Sequence, residues 1–391
     1  MYDSLFKPIE SVAVDLFETA AELLDTGSGQ LARSNKGVVL PRDLYAHRDV
    51  QTEWWYYTGH CRTQSGREFG FELVFFKRRT DHDRIGILPA RLIANPMYAA
   101  HFAVSDITNG IFSYEHRRSF NKPFDIPVRM AEDEYSLSLG DWNVREDNGS
   151  HILEAGLKDG TRFTAVLEAA KEPILNGDGD GLTSKGDGTT ANHFSFTRMA
   201  LAGRLTKDRT TENFTGCAWM DKEFGTWDQK FWDWFSLQFD DGTELMIYHF
   251  RDLDERTEEH THAILIDEEG RTEKLGASDF ELRSETEWTS PKTGTTYPST
   301  WTIRVPSADI DVRLTPLIED QELDTRGTTM VVYWEGCCSI TGAKGGRPVS
   351  GKAYAELVGY DKTHNLRIDS FFFGSKLDWV KQFTSGIFSE T

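Results

Sequence analysis

Three short stretches hold residues whose types and spacing could do chemistry. The first is Glu53-Trp-Trp-Tyr-Tyr-Thr-Gly-His60. Extended, it puts Glu53, Trp55 and Tyr57 on one face and Trp54, Tyr56 and His60 on the other. Both faces are aromatic, so both must be covered. A carboxyl among such rings is costly to ionise, and Glu53 should titrate high unless it is paired. The second stretch is Trp219-Met-Asp221-Lys-Glu223-Phe, with Trp227, Trp232 and Trp234 close behind. An extended backbone sets Asp221 and Glu223 on one face. Two carboxyls among aromatics can share a proton and so keep an acid available near neutral pH. An ion pair through Lys222 on an edge strand is the other reading.

The third stretch straddles Asp241-Gly242. As a two-residue hairpin turn it predicts Trp234 opposite His249 and Phe235 opposite Tyr248. One face then carries Phe235, Leu237, Phe239, Met246, Tyr248 and Phe250, which reads as core. The other carries Trp232, Trp234, Ser236, Gln238, His249 and Arg251, the polar-aromatic lining a ligand cavity needs. His101 and Asp106 flank another strand and fall on opposite faces, so at most one of them points into a given cavity.

Other motifs do not hold. Gly346 to Lys352 has the spacing of a phosphate loop, but Pro348 interrupts it and a strand-like run follows where a helix is required. Asn176, Asp178, Asp180, Gly181 and Asp187 imitate a calcium loop without its closing Glu or its flanking helices, so the 176–188 stretch reads as a mobile surface loop. His260 and His262 share a strand face but have no evident third ligand, and no metal site is expected.

The elements that must position these residues are strands. Asn109-Gly110, Asp159-Gly160 and Asp241-Gly242 each separate alternating runs, which predicts meandering antiparallel sheets. Pro8 to Leu24 has helical spacing of Ile9, Val12, Leu16 and Ala20, which predicts one short N-terminal helix. The expected division is a helical extension over 1–40, one domain over 41–225 and a second over 226–391. The 25 Phe, 12 Tyr and 11 Trp suit strand surfaces and cavity walls, which again points to an all-β fold.

A net charge of −20 repels phosphate backbones and anionic lipid, so nucleic acid and integral membrane association are not expected. The four cysteines form no CxxC, and the N-terminal residues carry acids where a secretion signal needs an apolar run. Cytoplasmic placement is the expectation.

At these residues the sequence resembles the carotenoid 1,2-hydratase-like, or hydroxyneurosporene synthase-like, proteins. The resemblance rests on EWWYYTGH at 53–60, FGFELVFF at 69–76, AHFAVSD at 100–106, LNGDGDGLTSKG at 175–186 and CAWMDKEFG at 217–225. It continues through WDWFSLQFDDGTELMIYHFR at 232–251, YWEGCCSITG at 333–342 and VSGKAYAELVGY at 349–360. It implies two lipocalin-like antiparallel β-barrel domains with a cavity at or near their interface. Named members hydrate an isolated double bond of a carotenoid end or a prenyl group. One departure stands out: Lys222 follows Asp221 where the resemblance leads one to expect a histidine or another neutral donor.

Together these readings predict proton-initiated chemistry on a double bond of an apolar, isoprenoid-like small molecule, without a cofactor. Asp221 is the preferred acid, with Glu223 and Glu53 as substitutes. Trp54, Trp55, Tyr57, His101, Trp219, Trp232 and Trp234 hold the substrate, and ring faces stabilise the cation. His249 or Tyr248 positions water or removes a proton. A pericyclase that only folds a polyene, and a non-catalytic carrier, are the rival readings.

Overall fold

The computed structural model describes residues 36–361 apart from 82–83, 86–87, 90, 92–94, 187, 228–230, 253 and 255, so the expected helix over Pro8–Leu24 lies outside the described residues. Within them the chain is almost entirely antiparallel strand, with two three-residue 3-10 turns at Arg42–Leu44 and Pro306–Ala308.

Ten strands carry the site. They are β1 (Thr52–Thr63), β2 (Glu68–Arg78), β3 (Met97–Asp106), β4 (Leu182–Gly186), β5 (Thr189–Lys207), β6 (Thr210–Gly225), β7 (Phe231–Phe239), β8 (Glu244–Arg251), β9 (Val332–Lys344) and β10 (Arg347–Val358). One sheet runs β3-β2-β1-β6-β5 and continues through shorter strands between Val128 and Ala169. The other runs β8-β7-β10-β9 and continues through strands between Glu281 and Pro316. Each curls around its own apolar core as a barrel or half-barrel, the lipocalin-like pair expected.

Three cores explain the doubly aromatic strands. The first sheet encloses Trp55, Phe71, Phe102, Trp142 and Phe163, and the second encloses Phe235, Ile247, Trp301 and Leu314. A third core, with Tyr56, Val74, Trp219, Trp234, Tyr248 and Tyr333, lies where the outer faces of the two sheets meet. Successive strand residues point to opposite faces, so β1 sends Trp55 and Tyr57 into its own barrel and Trp54 and Tyr56 toward the other. Both faces of such a strand must therefore be covered.

Hairpins form at all three expected places, but their loops are longer than two residues. Phe239 and Thr243 close a three-residue loop, Asp240-Asp241-Gly242, with Gly242 at φ +85. Leu157 and Thr161 do the same around Asp159-Gly160, with Gly160 at φ +93. A left-handed third residue is the usual way to close such a loop without splaying the strands. The extra residue shifts every pairing by one, so Trp234 faces Tyr248 and Asp233 faces His249.

Candidate functional site

The third core is not filled. Between the two sheets lies a cavity of about 660 Å³ of non-atom space including its mouth, narrow enough that only about 50 Å³ admits the centre of a water molecule. One wall is the outer face of β3-β2-β1-β6-β5. Register sets Tyr56 beside Val74 and Asp221, Trp54 beside Glu223, and Val74 beside His101. The opposite wall comes from β8, β7, β10 and β9, with Trp234 paired to both Tyr248 and Glu356 and Tyr333 paired to Val358. The result is an aromatic slot with two chemically different flanks, separated by β1.

On the β3–β2 flank burial favours the neutral form of each titratable group. Tyr333 donates its hydroxyl to Glu72 Oε1 at 3.0 Å, and Tyr333 Oη itself lies 2.7 Å from His101 Nδ1. Tyr56 donates to Glu335 Oε1 at 2.6 Å just behind. Burial pushes Glu72 up to about 8, against the Tyr333 hydrogen bond and with help from Glu356. Burial and then Glu72 and Glu356 push Glu335 well above the ordinary carboxylate range, while burial and His116 hold His101 well below the usual histidine range. The shifts run toward protonated carboxyls beside an uncharged imidazole.

The β6–β5 flank is ionic. Asp221 accepts from Trp219 Nε1 at 2.7 Å and pairs with His193 Nε2 at 3.2 Å. Glu223 pairs with Lys185 Nζ at 2.5 Å, and Lys185 also donates to Tyr248 Oη at 3.1 Å. The ammonium sits 4.2 Å from the Tyr248 ring centre, and burial pulls it below the ordinary lysine value. Between the flanks, Glu356 accepts from Trp232 Nε1 at 2.9 Å. Burial, followed by the nearby Asp221 and Glu223, raises Glu356 to about 7 in spite of that hydrogen bond.

Of the residues singled out in the sequence, Trp54, His101, Asp221, Glu223, Trp232, Trp234 and Tyr248 line this cavity. Trp219 lies behind it, edge-on to Trp234. Glu53, Trp55 and Tyr57 do not reach it, because their strand parity turns them into the first barrel. There Glu53 is fully buried and pairs with Lys222 at 2.5 Å and Lys77 at 3.4 Å, with His47 Nδ1 at 2.7 Å. Burial alone would raise this carboxyl, but the cations outweigh it and hold it well below the usual range. Lys222 belongs to that cluster, so its departure from the expected neutral donor does not touch the cavity. Tyr57 hydrogen-bonds Tyr135 and His151.

His249 must also be moved. The one-residue change in register turns it away from Trp232 and Trp234 into a second cavity, beside Asp233 at 3.1 Å, Arg251, Tyr297 and Tyr360. Tyr248 takes the opposite journey, from expected core to cavity wall.

Sequence reasoning passed over Glu72, Glu356, Glu335, Tyr333, His193 and Lys185. The signal was a lone acid inside an apolar run, as in FGFELVFF and AYAELVGY. The Asp/Gly-rich stretch is also not a detached surface loop. It carries β4, which pairs with β5 and buries Lys185 beneath the aromatic wall. Its Asn176 donates to Ser195, its Asp178 pairs with Lys274, and Asp187 lies outside the described residues. Among the described residues no group of three or more His, Cys, Asp and Glu side chains could hold a metal ion, and no helix is long and apolar enough to cross a membrane.

The chain is similar over most of its length to solved structures. A crystal structure of a candidate AttH from Nitrosomonas europaea is 27% identical, covering 85% of this chain and 99% of that one, with a TM-score of 0.73. Kievitone hydratase from Nectria haematococca is 16% identical, covering 85% and 96%, with a TM-score of 0.64, and shares the fold. A search of functionally curated proteins found no significant match. The AttH-like family model matches residues 31–360, which takes in both sheets and every wall of the cavity: the chain belongs to the AttH-like family.

Proposed function

We propose that this chain is an enzyme that protonates a double bond of an apolar substrate in the inter-sheet cavity and completes the reaction by adding water. One observation carries the reading: Glu72 and Glu356 face an aromatic slot as acids raised to about 8 and about 7. A carboxylic acid that keeps its proton near neutral pH is the donor such a reaction needs. Protonation of a trisubstituted alkene yields a tertiary cation, which the faces of Trp54, Trp232, Trp234 and Tyr248 attract. Asp221 and Glu223 supply counter-charge across the slot. Asp221, the acid preferred in the sequence, already accepts from Trp219 and pairs with His193, so in this reading the donor is Glu72 or Glu356. Acid, water and ring faces complete the chemistry as drawn. The fold shared with a hydratase supports the reading by analogy.

The test uses apolar compounds that copurify with the protein, identified by mass spectrometry and returned to it in heavy water. The expected product has gained one D2O, with deuterium on carbon, and a Glu72→Gln/Glu356→Gln double variant makes it slower by about 10²–10⁴-fold. Saturable binding without conversion, or an isomer free of carbon-bound deuterium, would overturn the proposal.

A further inference from the structure

The geometry points to Glu72, Tyr333 and His101 as a single proton relay that delivers one proton to the alkene and collects another from the attacking water. This rests on the function proposed above and assigns its donor and its acceptor.

The three groups come from three strands and both sheets. Glu72 and His101 lie diagonally on the outer faces of β2 and β3, and Tyr333 reaches them from β9. All three line the cavity and are buried. Tyr333 Oη is hydrogen-bonded to both neighbours, 3.0 Å from Glu72 Oε1 and 2.7 Å from His101 Nδ1. The two outer atoms of the chain, Glu72 Oε2 and His101 Nε2, are buried without a hydrogen-bond partner. Buried polar atoms left unpaired in a native site are costly, and here a reacting ligand and water would satisfy both.

The roles follow from the imidazole tautomer that pairs with a Tyr333 hydroxyl donating to Glu72. Tyr333 donates to Glu72 Oε1, so its oxygen accepts from His101 Nδ1–H, and His101 Nε2 is left with a free lone pair. The Glu72 proton then sits on Oε2. The opposite arrangement would ask a neutral imidazole N–H to protonate carbon, for which it is far too weak an acid. Burial supports the same assignment, because it keeps Glu72 protonated and His101 uncharged.

The step balances without another reagent. The Glu72 Oε2–H bond breaks as the alkene π pair forms a C–H bond, leaving the cation on the more substituted carbon. A water lone pair forms the C–O bond, and one water proton passes to His101 Nε2. His101 Nδ1–H moves to Tyr333 Oη, and the Tyr333 proton moves to Glu72 Oε1. One water has been added, and no net charge remains on the relay. Rotation of the carboxyl and exchange of the imidazole proton with solvent restore the starting state. Glu72 and His101 are the catalytic residues here, and Tyr333 is the positioning residue that joins them.

The first arm of the test needs no substrate. Long-range proton–nitrogen NMR on histidine-labelled protein, assigned with His101→Asn, should show His101 neutral at pH 7 with its proton on Nδ1. Tyr333→Phe should abolish that preference. A proton on Nε2, or an imidazolium, in the unaltered protein overturns the relay whatever the protein catalyses. The second arm uses a dimethylallyl phenol as probe in heavy water, scored as product per enzyme. Tyr333→Phe should lower kcat by about 10²-fold with KM within about threefold, and adding His101→Gln should cost little more, as expected of residues acting as a unit. Deuterated product formed by Tyr333→Phe at the unaltered rate overturns the relay and leaves the proposed function standing. With the Nδ1–H tautomer in place, probe bound without deuterated product overturns both.

Discussion

Tyr56 in the first sheet donates its hydroxyl to Glu335 in the second at 2.6 Å, with both side chains buried. The second oxygen of Glu335 has no hydrogen-bond partner, so this hydroxyl is what keeps the carboxyl from being wholly unsatisfied. Tyr56→Phe removes it at almost constant volume. The variant should be less stable by about 1–3 kcal/mol, read from the midpoint of urea unfolding at pH 7.

The raised acids predict how stability follows pH. An unfolded glutamate titrates at about 4.3, whereas Glu356 and Glu72 in the folded chain titrate at about 7 and about 8. Between those limits the folded state binds more protons than the unfolded one. The stability they contribute is therefore complete at low pH and is lost as pH rises through 7 to 8. At the steepest the loss is on the order of 1 kcal/mol per pH unit for each glutamate. Unfolding titrations from pH 5.5 to 8.5 should show the decline, and Glu72→Gln/Glu356→Gln should flatten it. A slope unchanged in that variant would refute the assignment.

In the first barrel the sign reverses. Glu53 is held below the ordinary carboxylate range because Lys222, Lys77 and His47 outweigh its burial, so its contribution is present above the unfolded value and fades as pH falls. Lys222→Met leaves that carboxylate buried with one cation fewer and should cost about 3–5 kcal/mol. Adding Glu53→Gln should recover part of the loss, because the pair is coupled. A double variant as unstable as the sum of the two single ones would show that the pair does not interact.

The two residues exchanged by the hairpin register should separate in a binding assay. Quenching of intrinsic tryptophan fluorescence by an apolar dye reports occupancy beside Trp232 and Trp234. Tyr248→Leu strips one wall of that slot and the hydroxyl that Lys185 reaches, and should weaken binding by about tenfold, on the scale of one lost aromatic contact. His249→Gln acts in the other cavity and should leave affinity within about twofold. Equal effects of both would contradict the pairing of Trp234 with Tyr248.

What could be read beforehand follows from what is local. Trp54-Trp55-Tyr56-Tyr57 is aromatic on both faces, and that alone required two covering layers. Asp221 and Glu223 came to the same wall because a strand repeats every two residues. Loop length is not local in this sense: Asp241-Gly242 marks a turn, but whether Asp240 belongs to the loop or the strand decides the side of every residue from Leu245 to Arg251. Glu72 and Glu356 were visible only as isolated acids in apolar runs. A single strand cannot say whether such an acid meets water or a second sheet, and their acidity is set by burial and by groups distant in the chain, Tyr333 and Glu356 for Glu72 and Asp221 and Glu223 for Glu356.

That dependence has a consequence for the donor itself. Glu72 and His101 lie on the outer face of the first sheet and are buried only because the second sheet covers that face. Tyr333, Glu356 and the tryptophans of β7 exclude water from Glu72 and so make its carboxyl a reluctant one to ionise. The second half of the chain thus acts on the first as a change of solvent. On the function proposed above, the proton donor therefore exists only while the two sheets are packed together.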